Sequence, residues 1–169
     1  MSSTSVTFRS SNRLDAFDLQ LLDLLQADAL MTAEKLADHV ALSASAITRR
    51  VRRMRETGVI RADVAVLARE FTDARLNALV LVQAREHAEE RGIAALRALL
   101  MATPEVQTVL DISGEYDLAL QISARDMNDF NALTDRLLQS NPTVQRYETR
   151  FVKRTHKQSL FIPMAADAD

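Results

Sequence analysis

Apolar positions recur at helical spacing through the first third of the chain and alternate at strand spacing through much of the rest. Phe17, Leu21, Leu24 and Leu25 make one stripe in LDAFDLQLLDLLQ, which predicts a helix over 14–26 capped by Asp15. Thr32 to Val40 predicts a short second helix, with Thr32 as N-cap, Glu34 in the first turn, and Leu36, Ala37 and Val40 turned inward. Ala41-Leu42 separates it from Ser43, which caps a third, longer helix that Gly58 stops. At about 100° per residue, that third helix sets Ile47, Val51 and Met54 on one face and Ser45, Arg49, Arg52 and Glu56 on the other, with Thr48 and Arg53 at the borders. Two short helices, a tight turn and a longer helix with a polar outer face predict a helix-turn-helix. The first helix is the third member needed to bury both.

From Val59 to Leu67 the sequence becomes β-branched and loosely alternating, which fits a short strand or extended connector and leaves room for a wing. The domain boundary is expected near 70–76. Beyond it, Asn77–Ala84 predicts a buried strand and Ala88–Met101 a helix ended by Thr103-Pro104. Val106–Ile112 and Asp117–Ser123 predict two strands joined by Ser113-Gly114-Glu115-Tyr116. Asp126 opens a helix with Met127, Phe130, Leu133 and Leu137 as its stripe, closed by Asn141-Pro142, and Val144–Lys153 is the last strand. The order β-α-β-β-α-β is the ferredoxin-like split unit. Its helices cover one face of the sheet, so the other face needs a cover, most economically a second copy. The predicted fold is α+β: an N-terminal three-helix, optionally winged, helix-turn-helix domain and a C-terminal ferredoxin-like βαββαβ domain. The expected divisions are a disordered tail over 1–12, the helix-turn-helix domain over 13–61, a connector over 62–76, the βαββαβ domain over 77–160 and a tail over 161–169. The partly apolar RTHKQSLFIP segment fits either another strand or a bridge between subunits.

Charge sharpens this picture. The whole chain of 169 residues carries a net charge of −2, which argues against indiscriminate coating of nucleic acid. Residues 1–61, however, carry nine Lys/Arg against seven Asp/Glu, and residues 62–169 carry twelve against sixteen, so the positive potential is local. Between Ser43 and Arg61 all six basic residues (Arg49, Arg50, Arg52, Arg53, Arg55 and Arg61) are arginine, whose planar fork suits phosphate and guanine edges. The outward or N-terminal positions Ser43, Ser45, Thr48, Arg49, Arg52 and Arg53 are therefore candidate DNA contacts. Arg50 lies beside the buried stripe, so it orders the fold or meets a phosphate. The absence of cysteine excludes disulfides and thiolate metal sites, and no apolar run approaches the roughly 20 residues of a membrane span. No secretory apolar segment opens the chain, and a cytoplasmic location is expected.

The residues LDAFDLQLLDLLQADALMTAEKLADHVALSASAITRRVRRMRETGVI at 14–60 and SGEYDLAL at 113–120 resemble the Lrp/AsnC family of transcription regulators. Ser43, Arg50, Val51, Gly58 and Ile60 match the family's recognition-helix pattern, Met54 replaces a leucine, and Gly114-Glu115-Tyr116-Asp117 matches its G-[DE]-Y-D turn. Ala41 stands where the family usually has glycine, at a cost of about 1 kcal/mol if that position is left-handed. The resemblance implies sequence-specific DNA binding, and a small effector, typically an amino acid, bound between subunits at a loop that includes Gly114, Glu115, Tyr116 and Asp117. Asp117 or Glu115 suits an α-amino group, and backbone N–H groups at the glycine turn or the Thr149 hydroxyl suit an α-carboxylate. It further implies homodimers that assemble into octamers or other higher forms, with no metal and no cofactor beyond the effector. Taken alone, the 114–117 turn is also a plain hairpin turn.

The competing reading is an enzyme, because siroheme decarboxylases resemble this family in both domains. The sequence offers little for it. His39, His87 and His156 are scattered, and neither a cysteine nucleophile nor a glycine-rich phosphate loop is present.

Overall fold

The computed structural model describes residues 14–85 and 90–165. The expected tail over 1–12 and the beginning of the helix expected from Ala88 lie outside the described residues. The chain forms two compact units, one of residues 1–65 with 157–169 and one of residues 66–156.

The first unit begins with α1 (Ala16–Ala27), α2 (Ala33–Ala37) and α3 (Ala44–Glu56). Each start has the cap that its sequence promises. Asp15 accepts from the Asp18 N–H, and the Asp18 side chain accepts from the Asp15 N–H, closing a capping box. Thr32 and Ser43 accept from the N–H groups of Lys35 and Ala46. The helices meet in one core of Leu21, Leu22, Leu25, Leu36, Val40, Ile47, Val51 and Met54, with Leu21, Ile47 and Met54 fully buried, whereas Phe17 of the expected stripe is exposed beneath the Arg50 guanidinium. Gly58 terminates α3 at φ +76°, which lets the Ile60 N–H fold back onto the Met54 carbonyl. Among the described residues no residue other than glycine has positive φ, so Ala41 carries none of the strain that a left-handed turn would impose.

Of the two readings of Val59–Leu67, a short strand or an extended connector, the strand does not form. These residues pair with no sheet, so no wing is present among the described residues of this chain. β-branched alternation favours an extended backbone, yet a strand also needs a neighbour to accept its hydrogen bonds. Arg55 instead ties the segment back to α3 through Asp63, at 3.1 Å.

The second unit contains α4 (Arg69–Thr72), β1 (Leu76–Ala84), α5 (Glu90–Met101), β2 (Val106–Asp111), β3 (Leu118–Ala124), α6 (Met127–Thr134) running on into a π-helical turn (Asp135–Gln139), and β4 (Val144–Phe151). The sheet order is β2-β3-β1-β4, antiparallel throughout, which is the ferredoxin-like arrangement. Strand parity sorts the two faces. Ala78, Val80, Val82, Leu118, Leu120 and Ile122 lie under the helices with Leu96, Leu100, Phe130, Leu133, Leu137 and Leu138. The opposite face sets Leu110, Ala119 and Leu81 in one cross-strand row that ends at Glu148, and Leu79 beside Gln121 and Arg150. Leu79 is 40% exposed and Leu110 52%, so this chain alone leaves both leucines open to water. The last strand ends at Phe151 rather than Lys153, and RTHKQSLFIP forms no strand.

Candidate nucleic-acid interface and effector loop

The outer face of α3 is set by an anchor that lies in α1. Asp18, whose side chain is only 1% exposed, receives Arg50 Nη1 on Oδ1 at 2.9 Å and Arg53 Nη2 on Oδ2 at 2.5 Å. Arg50 also donates to Asp15 Oδ2 at 2.8 Å, and its guanidinium stacks over the Phe17 ring at 5.8 Å. A carboxylate this deeply buried is tolerable only when paired, and here both oxygens are. The two arginines therefore fix the rotation of α3 about its axis relative to α1.

With α3 so held, the sequence-assigned DNA residues separate by duty. Arg50 is three-quarters buried and committed to Asp15 and Asp18, so it belongs to the scaffold. Arg53 is half exposed but bonded to Asp18. Ser43 caps the helix and lies 3.2 Å from the Ser45 hydroxyl, and the Thr48 hydroxyl donates back to the Ala44 carbonyl. Arg49 is exposed and makes no hydrogen bond or ion pair among the described residues. Arg52 is 71% exposed and is held only loosely by Glu56, at 3.7 Å. Arg49 and Arg52, three apart, thus extend from one side of a helix whose other side is closed core.

In the second unit, residues 112–117 close the β2–β3 hairpin, with Gly114 at φ +125°. Asp117 is engaged along its whole length. Its N–H donates to the Val82 carbonyl, its carbonyl accepts from Ile112, and its carboxylate accepts the Ala84 N–H at 2.7 Å. That carboxylate pins the hairpin to the end of β1 and has less freedom to meet an α-amino group than its spacing suggested. Glu115 forms an ion pair with Arg146, and the Arg146 guanidinium stacks over the Tyr116 ring at 5.2 Å. The Tyr116 hydroxyl donates to Glu148 Oε2 at 2.7 Å, and Glu148 Oε1 accepts from Arg150 at 3.0 Å.

Gly114, Glu115 and Tyr116 are accordingly brought together, joined by Arg146, Glu148 and Arg150, which sequence reasoning did not single out. Thr149 is not. It pairs with Val80 and so faces the helix side of the sheet, whereas Glu148 pairs with Leu81 and faces the open side. Counting parity from Tyr116 to Glu148 would have required the register, which the sequence does not carry.

The environment shifts these groups in consistent directions. The Tyr116 hydrogen bond, followed by Arg150, holds the Glu148 carboxyl below its ordinary value, while the same bond to Glu148 raises the Tyr116 phenol. The Asp18 amide, with Arg50, holds Asp15 low. Among the described residues no group of three or more His, Cys, Asp or Glu is placed to hold a metal ion, and no helix is long and apolar enough to cross a membrane.

Comparison with known proteins adds what geometry alone does not. Residues 14–61 match a family model described as a winged helix-turn-helix DNA-binding domain, and residues 77–160 match one described as the Lrp/AsnC ligand binding domain. An uncharacterized HTH-type transcriptional regulator, y4tD of Sinorhizobium fredii, is 30% identical over 152 residues, which are 89% of each chain. The transcriptional regulatory protein DoeX of Halomonas elongata is 32% identical over 86% of this chain and 92% of its own. The crystal structure of transcriptional regulator NMB0573 of Neisseria meningitidis in complex with L-methionine is similar with a TM-score of 0.80 and 30% identity, covering 89% of this chain and 97% of that one.

The anchors can be tested by stability. Asp18→Ala leaves Arg53 without its partner and Arg50 with Asp15 alone, and is expected to cost about 3 kcal/mol in denaturant unfolding. Arg50→Ala in the same background should then cost much less than it does alone, a non-additivity that a double-mutant cycle measures. For acid, folding depresses the Asp15 and Glu148 carboxyls, so the unfolded chain binds more protons than the folded one across this range. Their stabilisation is complete above the ordinary carboxylate value of about 4 and is lost as pH falls through the depressed values. Denaturation midpoints taken from pH 7 to pH 3 should decline at the acid end, and less steeply in Glu148→Gln.

Proposed function

The chain belongs to the Lrp/AsnC family of transcription regulators, and on that premise we propose that it is a sequence-specific DNA-binding regulator whose operator affinity responds to a small effector, an amino acid. The observation that carries the DNA reading is α3 itself. Its apolar side is committed to core, Arg50 and Arg53 are tied down by Asp18, and Arg49 and Arg52 remain exposed. A helix of this kind fits the major groove, with Arg49 and Arg52 as base or phosphate contacts, Arg53 on the backbone, and Ser43, Ser45 and Thr48 at the groove edge.

The effector reading rests on the open sheet face. Leu79, Leu81 and Leu110 invite a second copy, and a dimer formed there would bury them beside the Glu115–Arg146–Tyr116–Glu148–Arg150 chain. That chain offers both signs an amino acid needs: arginines for its carboxylate, and Glu115 or Glu148 for its ammonium. Gly114 supplies the open backbone of the turn, and Asp117 holds the turn in place. The methionine complex of the Neisseria regulator supports this class of ligand. Occupancy at such an interface would favour one assembly over another, dimer or octamer, and so change the spacing of the recognition helices against paired half-sites.

A gel-shift titration on the DNA upstream of the protein's own coding region, with and without a mixture of the standard amino acids, tests both halves. Arg49→Ala with Arg52→Ala should weaken binding by about 1–3 kcal/mol for each base-reading arginine removed, without lowering thermal stability. Unchanged affinity in that variant would overturn the assignment of α3, and affinity indifferent to the amino acids would overturn the effector. Light scattering at the mass of a single chain would overturn the dimer.

A further inference from the structure

Residues 157–165 are part of the helix-turn-helix unit although they follow the last strand of the sheet. Their attachment is specific. Gln26 of α1 brackets Ile162, its Nε2 donating to the Ile162 carbonyl at 2.8 Å and its Oε1 accepting the Ile162 N–H at 2.9 Å. Three residues earlier on the same face of α1, the Asp23 carboxylate accepts the N–H groups of Met164 at 2.7 Å and Ala165 at 3.0 Å. Between these holds, Pro163 has no N–H to satisfy. The Met164 side chain packs against the core shared by α1, α2 and α3. The pattern reads backbone rather than side chains, as a peptide-docking edge does, with one apolar side chain as its anchor.

The other end is held as well, in the sheet unit. Arg69 of α4 donates to the carbonyls of Thr155 at 2.8 Å and His156 at 3.4 Å. Residues 152–165 therefore follow β4, whose Glu148 belongs to the loop network described above, through a guanidinium clamp to the hydrogen bonds with α1. α1 is the helix that carries Asp18, and Asp18 holds α3.

We propose that residues 157–165 are a regulatory strap, an intramolecular ligand for the Asp23–Gln26 edge of α1, through which the state of β4 controls the helices that read DNA. When docked, the strap stiffens α1 and keeps α3 in register for binding; when released, it loosens both. The inference rests on the regulator reading only for its output, since the docking itself is independent of DNA.

The test uses the full chain carrying Asp23→Ala with Gln26→Ala, beside a chain ending at Gln158, with amide hydrogen exchange and operator affinity as readouts. Both forms should exchange the amides of α1 about tenfold faster while those of β1 and β3 keep the parent rate. Both should bind upstream DNA about tenfold more weakly, a loss of roughly 1.4 kcal/mol. Unchanged exchange in α1 overturns the docking, and faster exchange with unchanged affinity overturns the regulatory role. If the parent chain binds no DNA, the regulator reading fails instead, and the exchange result alone upholds or overturns the strap.

Discussion

A carboxylate buried to 1% exposure has to be paired, and the pairing of Asp18 orders the helix-turn-helix unit. Its two oxygens are claimed by Arg50 and Arg53, and it serves at the same time in the capping box that starts α1. One side chain thereby fixes where α1 begins, how α3 is turned, and which arginines of a basic run remain available. Hydrophobic burial of Ile47, Val51 and Met54 brings α3 onto the core but sets its rotation only coarsely, because apolar contact is non-directional. Charged hydrogen bonds have direction and supply the finer constraint.

The sheet unit is organised differently. Its helices bury most of one face, and the other is left with exposed leucines flanked by a chain of alternating charge. Such a face is incomplete by itself, and its polar rim is where a small zwitterion would find partners of both signs. Gly114 permits the turn and the Asp117 carboxylate ties it to the end of β1, so ligand binding would act on an anchored loop.

Much of the fold was legible because its signals are local. The caps Asp15, Thr32 and Ser43, the stop at Gly58 and the strand–helix alternation of the second half each report on a few neighbouring residues, and the structure has them in those places. Val59–Leu67, legible as either a strand or a connector, shows the limit, since propensity favours a backbone conformation but does not supply a pairing partner. The anchors were harder to see. Asp18 could have been found from its position, being an acid on the same helical face as Leu21, Leu22 and Leu25, whereas the partners of Tyr116 depend on a strand register that no local pattern carries. The bonds from Asp23 and Gln26 to residues 162–165 join positions more than 130 apart and leave no trace in either segment.

The central claim is that α3 meets the phosphates and bases of duplex DNA through arginine. The most direct measurement is the equilibrium affinity for upstream DNA as a function of salt concentration, followed by fluorescence anisotropy. The account predicts a steep linear fall of log K against log salt, with a slope of about −0.9 for every phosphate neutralised. An affinity indifferent to salt would contradict it and turn attention to a protein partner for the same helix.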